Sequence, residues 1–133
     1  FQTKGRVSAG ASYFFGYGGA FLLRGIYPPR PRLSMLVLTK CIVRNNAAMF
    51  DSGAVDSQAA RVIATDTIFT DNKAMGGNGG VMWSQDGASS FTNCRFERNS
   101  ASTISTGGAF ILFDTTAFEN CDFIENIAGA SGG

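Results

Sequence analysis

An asparagine returns at a nearly fixed interval along most of this chain. It occurs at Asn46, Asn72, Asn99 and Asn126, so the intervals are 26, 27 and 27 residues. A constant period of this length indicates a solenoid, in which each repeat forms one coil and stacks on the next. Residues one period apart should therefore lie above one another, in columns along the solenoid axis.

The residues before each asparagine alternate as in a half-buried strand. Cys94 and Phe96 are two positions apart, so in an extended segment both side chains point to the same face. The charged Arg95 between them points to the other face. The repeat therefore predicts two inward columns, formed by Val43, Phe69, Phe96 and Phe123 and by Cys41, Thr67, Cys94 and Cys121.

The cysteine column leaves two interpretations open. Cys94 and Cys121 lie one coil apart, which is about 4.8 Å between Cα atoms and falls inside the range that a disulfide needs. One interpretation is a column of reduced, buried thiols that act as small apolar side chains. The other is a disulfide between Cys94 and Cys121.

The repeated asparagine suits a corner between strands. Asparagine tolerates left-handed backbone angles, and its amide can hydrogen-bond along the axis to the same residue of the next coil. We therefore predict a structural asparagine ladder. A glycine-containing pair precedes the first repeat and another follows each of the four repeats, and these pairs should provide positive φ or close backbone approach before the next strand; they are Gly18-Gly19, Ser52-Gly53, Gly79-Gly80, Gly107-Gly108 and Gly132-Gly133.

These features predict an all-β fold, a right-handed parallel β-helix or β-solenoid of about four to five coils of roughly 27 residues. A leucine-rich repeat is the main alternative, because its template also ends in asparagine and its period covers the same range. The chain has only six leucines, and its asparagines are followed by glycine turns and β-runs rather than helices. A left-handed hexapeptide helix fits neither the period nor the pattern.

The repeat also divides the chain. Residues 18–133 carry the β-helix repeats, and residues 1–17 form an N-terminal edge or a partial coil. A basic, proline-rich loop at 24–34 interrupts the repeats, and Tyr27, Arg30 and Arg32 in it are candidates for contact with a partner. That partner would be an anionic glycan or a neighbouring chain, unless the loop is a harmless excursion. We expect the chain to be a fragment of a longer one.

Composition argues against several chemistries. The chain has no histidine, and its three cysteines include no CxxC pair, so neither a metal site nor a cofactor is predicted. Five acids lie near turns or at outward positions without a clear partner, and no catalytic residue can be assigned among them; they are Asp66, Asp71, Asp114, Asp122 and Glu125. The run Gly76–Gly80 lacks the lysine and the helix of a phosphate-binding loop.

Charge is distributed unevenly along the chain. Residues 1–44 contain seven bases and no acid, whereas residues from Asp51 onward contain four bases and ten acids. If coil order follows the axis, the two ends should attract one another head to tail. The net charge of only +1 and the acidic remainder argue against nucleic-acid binding, and no apolar stretch is long enough to enter a membrane.

The paired motif resembles a known family. Phe69-Thr-Asp-Asn72 with Gly79-Gly80-Val81, and Phe96-Glu-Arg-Asn99 with Gly107-Gly108-Ala109, are similar to the repeats of the chlamydial polymorphic membrane proteins and related surface proteins. The resemblance covers about residues 18 to 133. It implies a right-handed β-helical segment that is exposed outside the cell and is often adhesive.

The function that we predict is a non-catalytic structural or adhesive rod segment of a cell-surface or extracellular protein, with end-to-end stacking into a filament as a mode of assembly. Its expected partners are protein neighbours, either copies of itself or other surface chains, and glycans. The alternative is a carbohydrate-binding module, or a fragment of a polysaccharide lyase or hydrolase of β-helix fold.

Overall fold

The computed structural model describes residues 2–7, 19–24 and 34–130. Every regular element in these ranges is a strand, and none is a helix. The strands are β1 Gln2–Val7, β2 Phe21–Arg24, β3 Ser34–Arg44, β4 Ala47–Ala48, β5 Val55–Gln58, β6 Ala60–Thr65, β7 Ile68–Thr70, β8 Lys73–Ala74, β9 Met82–Thr92, β10 Arg95–Glu97, β11 Phe110–Glu119 and β12 Asp122–Ile124.

All strand pairs between described strands are parallel, and those among β3 to β12 join residues 26 to 28 positions apart. The pairs of β1 with β3 and of β2 with β5 join residues 34 to 36 positions apart, because the segment with the proline-rich loop lies between them in sequence. Val43 of β3 is opposite Phe69 of β7, which is opposite Phe96 of β10, which is opposite Phe123 of β12. Such a succession of parallel pairs, each stacked on the one before, is a β-solenoid. The predicted all-β solenoid fold is therefore confirmed, and the columns inferred from the period are its strand register.

Alternation along the strands places the core inside the coils. In β3 the side chains of Leu36, Leu38, Cys41 and Val43 are buried, whereas those between them are partly or fully exposed. The change of phase between Leu38 and Cys41 coincides with Lys40, whose φ of 53° bends the strand. One such strand therefore supplies two successive walls of the core.

The number of coils was overestimated. The described residues form about three complete turns, over 34–59, 60–86 and 87–114, with incomplete turns on either side. The prediction of four to five counted one coil for each motif, but β1 with β2 and the segment after 114 each form only part of a turn. β1 pairs in parallel with β3, so the residues predicted as an N-terminal edge include a strand of the solenoid.

The proline-rich loop cannot be placed on this fold. Residues 25–33 lie outside the described residues, and with them Tyr27, Arg30 and Arg32. Arg24 ends β2 and Ser34 begins β3.

The left-handed corner residue is not the one predicted. Positive φ occurs at the residue before each ladder asparagine, at Asn45, Asp71, Arg98 and Glu125, with values of 51° to 55°. None of the four ladder asparagines has positive φ. Because the bend lies one residue before the asparagine, the asparagine side chain turns into the coil. Its amide can then reach the asparagine of the next coil. The glycine pairs do use positive φ, at Gly79 (74°) and Gly107 (71°).

Candidate functional site

The four repeated asparagines form a continuous hydrogen-bonded column. The Nδ2 of Asn46 donates to Oδ1 of Asn72 (2.8 Å), Asn72 donates in the same way to Asn99 (2.9 Å), and Asn99 to Asn126 (2.9 Å). The backbone N–H of each of the first three also donates to the Oδ1 of the next, at 3.0 to 3.2 Å. Each coil is thus joined to its neighbour by a side-chain bond as well as by strand pairing.

The asparagine amides also bond to the preceding coil. Nδ2 of Asn72 donates to the carbonyl of Val43, and Nδ2 of Asn99 donates to that of Phe69, both at 3.0 Å. Asn72 and Asn99 are buried, so these bonds satisfy amides that no solvent reaches. An interior asparagine such as Asn99 uses both amide hydrogens and accepts two bonds at one oxygen.

The predicted inward columns lie beside this ladder. Val43, Phe69 and Phe96 are fully buried, and the Phe96 ring stacks between Phe69 (5.1 Å between centroids) and Phe123 (4.9 Å). Phe123 lies in the last described coil and is 51% exposed. Phe123 is therefore the last ring of the aromatic column among the described residues.

Cys41, Thr67, Cys94 and Cys121 line the second column. Each Sγ or Oγ1 donates to the carbonyl two residues earlier, at 2.9 Å for Thr67 and 3.3 to 3.4 Å for the cysteines. Threonine can replace cysteine here because its hydroxyl makes the same bond. None of the three cysteines forms a disulfide. Burial raises the pKa of the Cys94 thiol to about 11.

This pKa predicts an unreactive thiol. At pH 8 a group of pKa about 11 is roughly 0.1% thiolate, against about 20% for an ordinary cysteine, and the thiolate is the nucleophile. Cys94 should therefore react with iodoacetamide at least about 100-fold more slowly in the folded protein than in urea. Mass spectrometry of the labelled peptides measures this ratio. Equal labelling rates of Cys94 in the folded protein and in urea would contradict this prediction. If neither Cys94 nor Cys121 were labelled in urea without reductant, the two residues would form a disulfide.

The same shift has a consequence for stability. Because the folded pKa lies above the unfolded value, the unfolded chain loses the Cys94 proton first as pH rises. The contribution of Cys94 to stability is thus constant below about pH 8.5 and declines between about pH 8.5 and 11.

The five candidate acids occupy separate structural positions. Asp66 accepts a bond from Nδ2 of Asn93 (3.2 Å), and Asp114 accepts bonds from the hydroxyls of Ser84 and Thr116. Asp122 points outward from β12 and Glu125 lies at a corner. Carboxylates at such positions are ordinarily solvated or cap a turn. No two of these acids can be assigned the roles of catalytic acid and catalytic base.

Asp71 belongs to an ion pair between coils. Arg98 donates from Nε to Oδ1 (2.9 Å) and from Nη2 to Oδ2 (3.0 Å) of Asp71, and it also pairs with Glu97. These hydrogen bonds from Arg98 hold the pKa of Asp71 below its usual value. Both side chains are exposed, so the pair contributes little to stability.

One feature was not predicted from the sequence. A groove of about 510 Å³ runs along the outside of the wall formed by the first halves of β9 and β11, and it is lined by Trp83 and Phe113 among others. The sequence does contain an indication of this groove, because Trp83 and Phe113 lie at outward strand positions, where the alternation predicts polar residues. Without the register, nothing indicated that they belong to one surface.

Within the described ranges, no cluster of three or more metal-ligating side chains occurs. The same residues include no helix with the length and apolar character needed to cross a membrane. Comparisons of the sequence with protein-family models and with curated proteins find no match, and a comparison with solved structures finds none either. The function must therefore be inferred from the residues and their arrangement.

Proposed function

We propose that this chain is a non-catalytic structural or adhesive rod segment of a cell-surface or extracellular protein, and that its coils continue onto neighbouring chains. The observation that carries this proposal is that the same side-chain columns run through the described coils without interruption. The asparagine and phenylalanine columns pass through the described coils and end at side chains that a further coil would cover. Phe123 and Ile127 there are 51% and 63% exposed.

The edges of the last strands support the same proposal. Among the described residues, β12 pairs only with β10 and β11 only with β9, so a further coil, either of this chain or of a neighbouring one, would pair with their outer edges. Such edges promote association with another strand. A solenoid coil that carries apolar side chains at the same register positions is the partner that fits both the edge and the exposed rings.

Charge favours a second copy as this partner. The last described coil, residues 115–130, contains Glu119, Asp122 and Glu125 and no base. β1 carries Lys4 and Arg6. Following the register through the coils, Lys4 belongs to the column that ends at Glu119, and Arg6 to the column that ends at Asp122.

A head-to-tail stack in this register would therefore place each base about 4.8 Å from an acid, measured between backbones. In that stack β1 makes the contact. β2 would lie one strand spacing too far along the axis to pair with residues 110–113 of β11, since the described part of the last coil, residues 115–130, has no strand that stacks on them.

The resemblance of the Phe-x-x-Asn and Gly-Gly motifs to the chlamydial surface proteins supports the location outside the cell. The separate placement of the acids supports a role without catalysis.

Analytical sedimentation of the purified chain tests the proposal. We expect elongated oligomers that grow with protein concentration and weaken as NaCl is raised, because exposed charges are screened by salt. The variant Asp122→Lys places like charges at the contact and should weaken association roughly tenfold.

Asp66→Lys is the matched control, since it makes the same charge change at a side position where Lys40 already occupies the equivalent corner. Its association should equal that of the unmodified chain. A chain that stays monomeric at all concentrations would contradict the end-to-end contact. Release of products from an acidic polysaccharide would contradict the non-catalytic role and favour a lyase or hydrolase.

A further inference from the structure

The lateral groove combines exposed aromatic rings with polar side chains. Trp83 and Ile111 are paired across β9 and β11, as are Gln85 and Phe113, and these four side chains form the floor. Asn78 contributes from the turn before β9, and Asp86 contributes from the corner within it. The groove thus crosses two coils on the outside of one wall.

The aromatic side chains do not serve the core. In β9 the side chains of Met82 and Ser84 are buried and point inward, so Trp83 and Gln85 point outward. The rings of Trp83 and Phe113 lie 6.2 Å apart between centroids, at an interplanar angle of 57°. Phe113 is 66% exposed. Adjacent outward aromatic rings on a solvated wall are an exposed apolar surface of the kind that marks a binding site.

The polar lining decides which ligand fits. A pyranose ring has one face of C–H groups, which packs on an aromatic ring, and an equator of hydroxyls, which hydrogen-bond to planar amides and carboxylates. Trp83 and Phe113 offer the rings, and Asn78, Gln85 and Asp86 offer donors and acceptors around them. A few polar groups around an apolar floor is the usual composition of a ligand site.

The charge of the lining residues narrows the class of sugar that fits the groove. Among the described residues that line the groove, Asp86 is the one with a formally charged side chain, and it is negative. An anionic sugar would be repelled there.

We propose that this groove binds a neutral oligosaccharide, with one sugar ring packed on Trp83 and the next near Phe113. The residues that carry this proposal are not those of the predicted contact loop, Tyr27, Arg30 and Arg32, for which an anionic glycan or a neighbouring chain was expected. It lies on the side of the rod, so its occupancy does not depend on end-to-end contacts.

Trp83 makes the test direct, because it is the only tryptophan in the chain. Its fluorescence should change saturably when cellohexaose, maltohexaose or laminarihexaose is added to the purified protein, for at least one of the three. Oligogalacturonate, which is anionic, should bind at least about tenfold more weakly. Calorimetry then gives the affinities of variants that lack the fluorophore.

Trp83→Ala and Phe113→Ala should each weaken binding of that oligosaccharide at least about tenfold, since each removes one ring from the floor. Ile68→Ala is the control, because Ile68 is also an exposed apolar residue on an outward strand position but lies on β7, outside the groove. Its affinity should be unchanged. Thermal unfolding of each variant shows that a lost affinity is not a lost fold.

Two results would overturn the proposal. One is the absence of any saturable change or heat with all three neutral oligosaccharides up to about 10 mM, a concentration well above the dissociation constants of functional sites. The other is unchanged affinity in Trp83→Ala. If the first result were accompanied by binding of an extended peptide, the groove would be assigned to a protein partner.

Discussion

Replacing Asn99 by aspartate is expected to destabilise the folded protein by about 3 to 5 kcal/mol at pH 7. The Nδ2 of Asn99 donates to the carbonyl of Phe69 (3.0 Å) and to Oδ1 of Asn126 (2.9 Å). A carboxylate at this position would have no hydrogen to donate and would face both oxygens from a buried site. Urea denaturation, monitored by circular dichroism, measures this change in stability as a lower midpoint concentration of urea.

The pH dependence of the Asn99→Asp variant provides a second, independent signature. Burial and the facing oxygens should raise the pKa of the introduced carboxyl above its unfolded value of about 3.9. The penalty is then fully present above the raised pKa, and it shrinks as pH falls towards about 4, because the protonated group can donate a hydrogen bond. A loss of stability that is the same at pH 7 and pH 4.5 would show that the introduced group is solvated.

Asn93→Asp makes the same chemical change in the same coil and serves as the control. Asn93 is exposed at a corner with a φ of 53°, and the equivalent corner one coil earlier is already an aspartate, Asp66. Asn93→Asp should lower the free energy of unfolding by less than about 1 kcal/mol, mostly through repulsion by the neighbouring carboxylate. If both variants lost the same amount, the asparagine column would have no special role in stability.

The sequence allowed the columns to be predicted because they depend on period alone. Asn46, Asn72, Asn99 and Asn126 have the same spacing as the apolar residues before them, so one alignment predicts both the strand register and the ladder. Thr67 could be placed in the cysteine column for the same reason, and its hydroxyl makes the bond that the thiols make.

Other features depend on geometry that a period does not contain. The left-handed residue lies at Arg98 rather than Asn99, and this depends on which side of the asparagine the chain bends. The arginine there gives no signal, because long cationic side chains seldom mark positive φ. The groove depends on Trp83 and Phe113 facing outward in adjacent coils, a juxtaposition of residues 30 positions apart through a turn of variable length.

Phe96→Ala is expected to cost about 3 to 5 kcal/mol, because it removes the central ring of the core. Phe96 is fully buried and lies between two stacked rings of its own column. It also makes edge-to-face contacts with Phe110 (4.8 Å) and Phe91 (5.5 Å). Truncation would leave a cavity that these rings cannot fill without leaving their own contacts, and the denaturation midpoint measures the cost.

Phe123→Ala provides the comparison, since it removes the same atoms from the same column one coil later. Phe123 is half exposed in the last described coil, so its truncation transfers less apolar surface to water and leaves no closed cavity. At protein concentrations where the chain is monomeric, the loss should be about 1 to 2 kcal/mol. At concentrations where copies stack, the loss should grow, because binding of a neighbour adds to the stability of the folded state. Equal losses for Phe96 and Phe123 in the monomer would mean that the last coil is already covered, and the open face on which the end-to-end contact depends would not exist in solution.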